Sequence, residues 1–193
     1  VYVAFDSDVG PNPVDVIEWI TERYTDFTID ATNFALVKSY LTKYPCNYYH
    51  AVKENVLTTI NRIAREARCA VTVTDNVMKL TYLPREPDEV KTLTRADLVN
   101  GSFSFKHTRT EELVTSNRVT WQPWGVQIIE AEEPQRSFTV ESNLEKYGFF
   151  GNAETYQTIT DGTQALKTAT FWSIRESNTW TIVSFKTTLE HMN

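Results

Sequence analysis

The sequence predicts an α+β protein in two parts. An N-terminal helical subdomain with a β-hairpin is expected over residues 1–91, then an antiparallel β-barrel or curled sheet with one packed helix over 92–193. Three observations point there. Apolar residues recur at helical spacing up to Arg68, and β-branched, alternating runs begin at Cys69. Of the 27 threonines, 17 fall at or after Thr92, where strands need β-branched but polar outer faces. Between the parts lies PREPDEVK, Pro84 to Lys91, whose two prolines and charges read as a linker or an ordered crossing between subdomains, placing the boundary near Thr92.

The first helix starts at Asn12, a capping residue followed by Pro13 at the first helical position and Asp15 in the first turn. Val16, Ile17, Ile20 and Tyr24 fall on one face, with Glu18 and Glu22 opposite. Asp30 caps a second helix, whose stripe is Phe34, Val37 and Leu41, and Pro45 forbids continuation past Tyr44. A third runs from Lys53 to Arg68, with Val56, Ile60, Ile63 and Ala67 inward and Asn61, Arg62, Arg65 and Glu66 on the solvated side. The runs CAVTVT (69–74) and VMKLTYL (77–83) flank Asp75-Asn76, two residues that tolerate positive φ, so they read as a hairpin.

In the second part, Ser102–Arg109, Val114–Trp121, Arg136–Val140 and Thr179–Thr187 read as strands with polar alternate faces. One helix, about 161–175, interrupts them: Asp161 caps it, Gln164 completes a capping box, and Ala165, Leu166, Ala169, Trp172 and Ser173 follow at helical spacing.

Composition narrows the function. With 19 basic against 25 acidic residues the net charge is −6 and the pI about 5.1, which argues against a nucleic-acid binder relying on a broad basic face. No stretch reaches the ~18 apolar residues of a membrane span. The start at Val1 and the run Thr188–Asn193 without terminal punctuation read as an excerpt from a longer protein.

No motif carries chemistry. Cys46 and Cys69 lack CxxC spacing and read as reduced structural thiols. His50, His107 and His191 are scattered, so neither metal ligation nor any cofactor is expected. Gly148 and Gly151 bracket Phe149-Phe150 as turns, without the strand and helix context of a phosphate loop. Glu111-Glu112 and Glu130 to Glu133 supply carboxylates in principle, but the first pair points to opposite faces of an expected strand and the second lies in a loop before Pro134, so no catalytic residue is assigned. Of Trp121, Trp124, Trp172 and Trp180, two or three are expected in the core. Trp124, between Pro123 and Gly125, is the candidate for an exposed interface or ligand contact.

PVDVIEWITERYTDFTIDATNF, the Tyr44-Pro45 step and NVLTTINRIAREARCAVTVTDNVMKLTYL together resemble a segment of tailed-phage tail-tip and baseplate-hub proteins, the lambda-type central tail-tip protein among them. DLVNGSFSFKHTRTEELVTSNRVTW is similar to the strand pair with which those proteins enter a tail-tube-like barrel. ESNLEKYG and the helix ending in FWSIRESNTWTIVSF look like the family's barrel insertion, with Ala165 and Ala169 against the barrel.

The resemblance implies a structural, non-enzymatic part of the virion tail tip, made in the bacterial cytoplasm. It implies a homotrimer that links the tail tube to distal tail, tape-measure and central-fibre proteins and to host recognition, and that forms part of the channel for DNA ejection. An acidic lumen would let DNA pass without specific binding. The alternatives are a receptor- or carbohydrate-binding module, which would need exposed aromatics such as Trp124, and a tail-associated cell-wall hydrolase, which would need paired carboxylates such as Glu111 and Glu132.

Overall fold

The structure, a computed structural model, describes residues 9–47, 53–86, 92–121 and 136–187. Among these residues the fold is α+β, with five helices and three small sheets. In chain order these are α1 (Pro13–Tyr24), β1 (Thr28–Ile29), α2 (Ala31–Tyr40), α3 (Val56–Glu66), β2 (Cys69–Thr74), β3 (Val77–Tyr82), β4 (Ser104–His107), β5 (Ser116–Trp121), β6 (Ser137–Glu141), α4 (Leu144–Tyr147), β7 (Gly151–Tyr156), α5 (Gly162–Glu176) and β8 (Thr181–Ser184).

Local side-chain chemistry starts the helices where expected. Asn12 accepts from Val14 N at 3.0 Å, Asp30 from Asn33 N at 2.9 Å and Asp161 from Gln164 N at 2.7 Å, each satisfying a donor the first turn would leave free. α3 starts three residues later than Lys53, because Asn55 caps it by accepting from Leu57 N and Thr58 N. α2 ends at Tyr40, before Pro45 can act. In the hairpin, Asp75 and Asn76 have φ of 51° and 65°, the left-handed pair that a two-residue turn needs to match strand twist. β1 adds to the far edge of β3 in parallel, giving the order β1-β3-β2.

α1, α2 and α3 pack with this sheet around Val14, Ile17, Ile20, Phe34, Val37, Leu41, Ile60, Ile63, Met78 and Leu80. α1 is rotated from the expected stripe: Val14 and Thr21 are buried, while Tyr24 is exposed with its ring edge-on to Trp19. The Thr21 hydroxyl donates to Ile17 O at 2.8 Å, which lets a polar side chain face the core.

The second half corrects the barrel expectation. Among the described residues no sheet closes into a barrel: β6-β5-β7 form one three-stranded sheet, and β4 and β8 form a separate antiparallel pair. The larger sheet is also mixed, since β5 pairs antiparallel with β6 and parallel with β7. β7 is not among the strands the sequence predicts, and of it only Gly151 is expected in a turn; it is a strand because residues 142–150 carry the chain back to the other edge of β5. α5 lies on this sheet through Ala165 and Ala169, which meet Val119, Tyr156 and Ile159. Its buried face also takes Gln164, Thr168, Phe171 and Ser173, whereas Leu166 is exposed. Gly162 admits α5 close to the sheet: a Cβ there would stand 3.1 Å from the Trp121 ring.

Candidate functional site

Two features stand out: a charge array joining the two apolar clusters, and an uncovered apolar ribbon. The array sits on the face of α3 expected to be solvated. Arg62, Arg65 and Glu66 recur at helical spacing and meet residues about 90 to 110 positions later. Arg62 Nη1 donates to Gln157 Oε1 at 2.8 Å and pairs also with Glu54. Arg65 reaches Glu154 at 2.8 Å and Glu176 at 2.6 Å, and its guanidinium lies 4.3 Å from the centre of the Trp172 ring. Trp172 Nε1 donates back to Arg65 O at 3.0 Å.

Glu66 is buried, at 3% exposure, against the expectation of a solvated carboxylate. One oxygen accepts from Gln157 N at 2.9 Å; the other accepts from Thr158 N at 2.7 Å and Thr158 Oγ1 at 2.5 Å. Burial raises the Glu66 pKa, and the nearby Glu154 charge adds to that, outweighing the three hydrogen bonds that lower it. Burial works against the charge of Arg65 too, but the hydrogen bonds and charges of Glu154 and Glu176 hold its pKa above the ordinary value.

The ribbon is β4 with β8, every residue of which is exposed. Phe105 lies directly opposite Val183, and Phe103, just before β4, and Phe185, just after β8, continue the same alternation on that face. All four are exposed, Phe105 to 66%. The other face carries Ile182 beside Lys106 and two serines. Among the described residues, the outer edges of both strands are unpaired.

At the base of the ribbon a cleft of about 210 Å³ is lined chiefly by Arg109, Glu112, Trp172, Arg175, Glu176 and Trp180. The half-exposed Trp180 is fixed by its indole N–H, which donates to Arg175 O at 2.6 Å, and by its backbone N–H, which donates to Thr108 Oγ1 at 2.8 Å.

Of the residues singled out from sequence, Trp124, Glu130 to Glu133, His50 and His191 lie outside the described residues. His107 is exposed at the end of β4, its ring edge-on to Phe105. Glu111 and Glu112 are exposed in a 3-10 turn, Thr110–Glu112, rather than on a strand. Cys46 and Cys69 are buried free thiols, and burial pushes both pKa values up to about 12. Trp121 packs half-buried against the second core beside Phe138, Trp172 is half-buried under Arg65, and Trp180 is exposed, so none of these three is fully buried.

Among the described residues no three His, Cys, Asp or Glu side chains gather as a metal site, and no helix is long and apolar enough to cross a membrane. Sequence reasoning missed Arg65, Glu66 and the ribbon. Only the ribbon left a signal, the alternation Phe103-Ser104-Phe105. No protein-family model matches the chain, and no curated protein sequence does.

Proposed function

We propose that this chain is a structural component of a phage tail tip or baseplate hub. In this reading it links the tail tube to host-recognition parts and forms part of the channel for DNA ejection. The observation that supports it is the β4–β8 ribbon. A two-stranded ribbon with an uncovered apolar face is marginal in water, and such a face marks an assembly surface. A half-exposed Phe offers roughly 100 Å² of apolar surface. The three Phe and the smaller Val183 therefore offer roughly 350 Å², somewhat under half of the ~800 Å² one partner buries in a stable interface.

The occupant in this reading is a second copy of the chain. Among the described residues the ribbon has two different free edges, and joining β4 of one copy to β8 of the next is a heterologous contact, the kind a closed trimer requires. Distal tail, tape-measure and central-fibre proteins are the further neighbours, no catalytic role is assigned, and a net charge of −6 suits a channel that does not retain DNA. Assembly into a trimer also provides the setting in which the tail-tube-like barrel of the sequence resemblance would close between copies.

The test is light scattering at several concentrations with negative-stain imaging. A trimer mass and threefold rings are expected, both lost in Phe105→Asp. A strict monomer at every concentration would remove the ribbon as support and sink the assembly role for these residues.

The cleft beside Trp180 favours a second reading, a carbohydrate-binding module, because an indole face beside Arg109 and Glu112 matches the apolar and hydroxylated sides of a sugar ring. Glycan-array binding that disappears in Trp180→Ala would establish it; an array without binding would reject it.

A further inference from the structure

Around Arg68, hydrogen-bond donors outnumber acceptors among the described residues. This residue follows α3 with a φ of 57°, and the left-handed turn sends its side chain back across the end of the helix. Arg68 Nη2 donates to Tyr44 Oη at 2.8 Å and to Tyr82 Oη at 2.7 Å, and its guanidinium carbon lies 5.0 to 5.5 Å from the centres of the Tyr44, Tyr82 and Phe171 rings. A second guanidinium, of Arg175, lies 3.7 Å from the centre of the same Phe171 ring and donates to Pro84 O at 2.9 Å.

The hydrogen-bond account is one-sided. Each phenol accepts from Arg68, and its own O–H has no acceptor among the described residues. Arg68 and Arg175 each keep further N–H groups, and no carboxylate among the described residues pairs with either. Every ion pair described lies elsewhere, on Asp15, Asp30, Glu54, Glu154 and Glu176. Two like charges thus share one aromatic ring in a half-buried setting, within a chain whose net charge is −6. Burial first, and then the charge of Arg68, lowers the Arg175 pKa, the signature of a cation lacking its counter-charge.

Half-buried charge without a partner is costly, and guanidinium forks match multi-oxygen anions in geometry. We infer that the Arg68–Arg175 cluster is a binding site for a phosphate-type oxyanion, held by two guanidinium groups and the two hydroxyls of Tyr44 and Tyr82. The aromatic rings hold the guanidinium planes in place, so the side chains lose little freedom on binding. This site is separate from the ribbon; it shares Arg175 with the wall of the cleft beside Trp180, whereas Arg68, Tyr44 and Tyr82 lie outside that cleft.

The test is calorimetric titration of the full chain with inorganic phosphate, chloride holding ionic strength constant, with acetate as a second arm. Saturable one-to-one binding of phosphate is expected, at least tenfold tighter than acetate. Arg175→Gln should weaken it about tenfold or more. The double variant Tyr44→Phe/Tyr82→Phe, which keeps both rings, should weaken it several-fold; if Arg175→Gln does not fold by circular dichroism, this double variant decides. Absence of saturable binding, or binding that the variants leave unchanged, overturns the site, and acetate binding as tight as phosphate overturns its phosphate-type character.

Discussion

Glu66, the last residue of α3, and Thr158, two residues past β7, are joined by two hydrogen bonds into a single carboxylate oxygen, 2.7 Å from the backbone N–H and 2.5 Å from the hydroxyl. This contact spans 92 positions of sequence and sits where the helical half meets the strand-rich half.

Glu66→Gln should destabilise the protein by about 2 kcal/mol, because the amide group would turn two donor hydrogens toward a backbone N–H that needs an acceptor. Denaturant unfolding measures this, and a loss below about 0.5 kcal/mol would mean that the carboxylate is dispensable.

The same pair of proteins reads the sign of the pKa shift. The folded pKa of Glu66 lies above its ordinary value of 4.5, so the folded state holds the proton more tightly than the unfolded chain. That contribution is complete below 4.5 and is lost as pH rises through the folded value. Wild type should therefore gain stability relative to Glu66→Gln as pH falls from neutrality toward 4.5. Thermal midpoints of both proteins across that range test it; a gap moving the other way would show that the hydrogen bonds, not burial, dominate.

Tyr156 is buried at 1% exposure with its hydroxyl unpartnered among the described residues, and burial, then the charge of Glu154, raises its pKa. Tyr156→Phe should leave stability unchanged or raise it by about 1 kcal/mol, since the ring stays and an unsatisfied polar atom goes. A loss above about 1 kcal/mol in chemical denaturation would assign that hydroxyl a partner.

In the dilute, unassembled chain, Phe105→Ser removes a ring that is 66% exposed, so folding stability there should change by less than about 0.5 kcal/mol. Binding of a hydrophobic-surface dye should fall by contrast. A large stability loss would place Phe105 in a core instead of on an open face.

Thiol labelling reports on the two cysteines. With both pKa values pushed up to about 12 and both side chains buried, Cys46 and Cys69 should resist a thiol reagent at neutral pH and react together only on unfolding. Fast labelling of either one in native buffer would contradict their placement.

Much of the local structure was legible because its causes lie within four residues. Asn12 with Pro13, Asp30, and Asp161 with Gln164 start helices through side-chain hydrogen bonds to nearby N–H groups, and Asp75-Asn76 turns the hairpin through its own backbone preferences. The polar face of α3 read as solvated because periodicity reports only which residues are polar. Arg65 and Glu66 are covered by Glu154, Thr158 and Trp172, whose approach no local pattern encodes.

The strand-rich half shows the same division. Alternation located β4, β5, β6 and β8, but GNAETY carries little apolar signal and became a strand only by pairing parallel to β5. Alternation likewise placed Phe103 and Phe105 on one face without saying whether anything covers it.

By itself, then, the sequence determined the α+β class, the starts of α1, α2 and α5, and the hairpin turn. Tertiary structure alone decided that three small sheets form among the described residues, that Glu66 is buried, and that Arg68 and Arg175 converge on Phe171. The physical reason is range. Backbone preferences and caps act over a few residues, whereas burial and charge pairing depend on segments about 100 positions apart meeting in space.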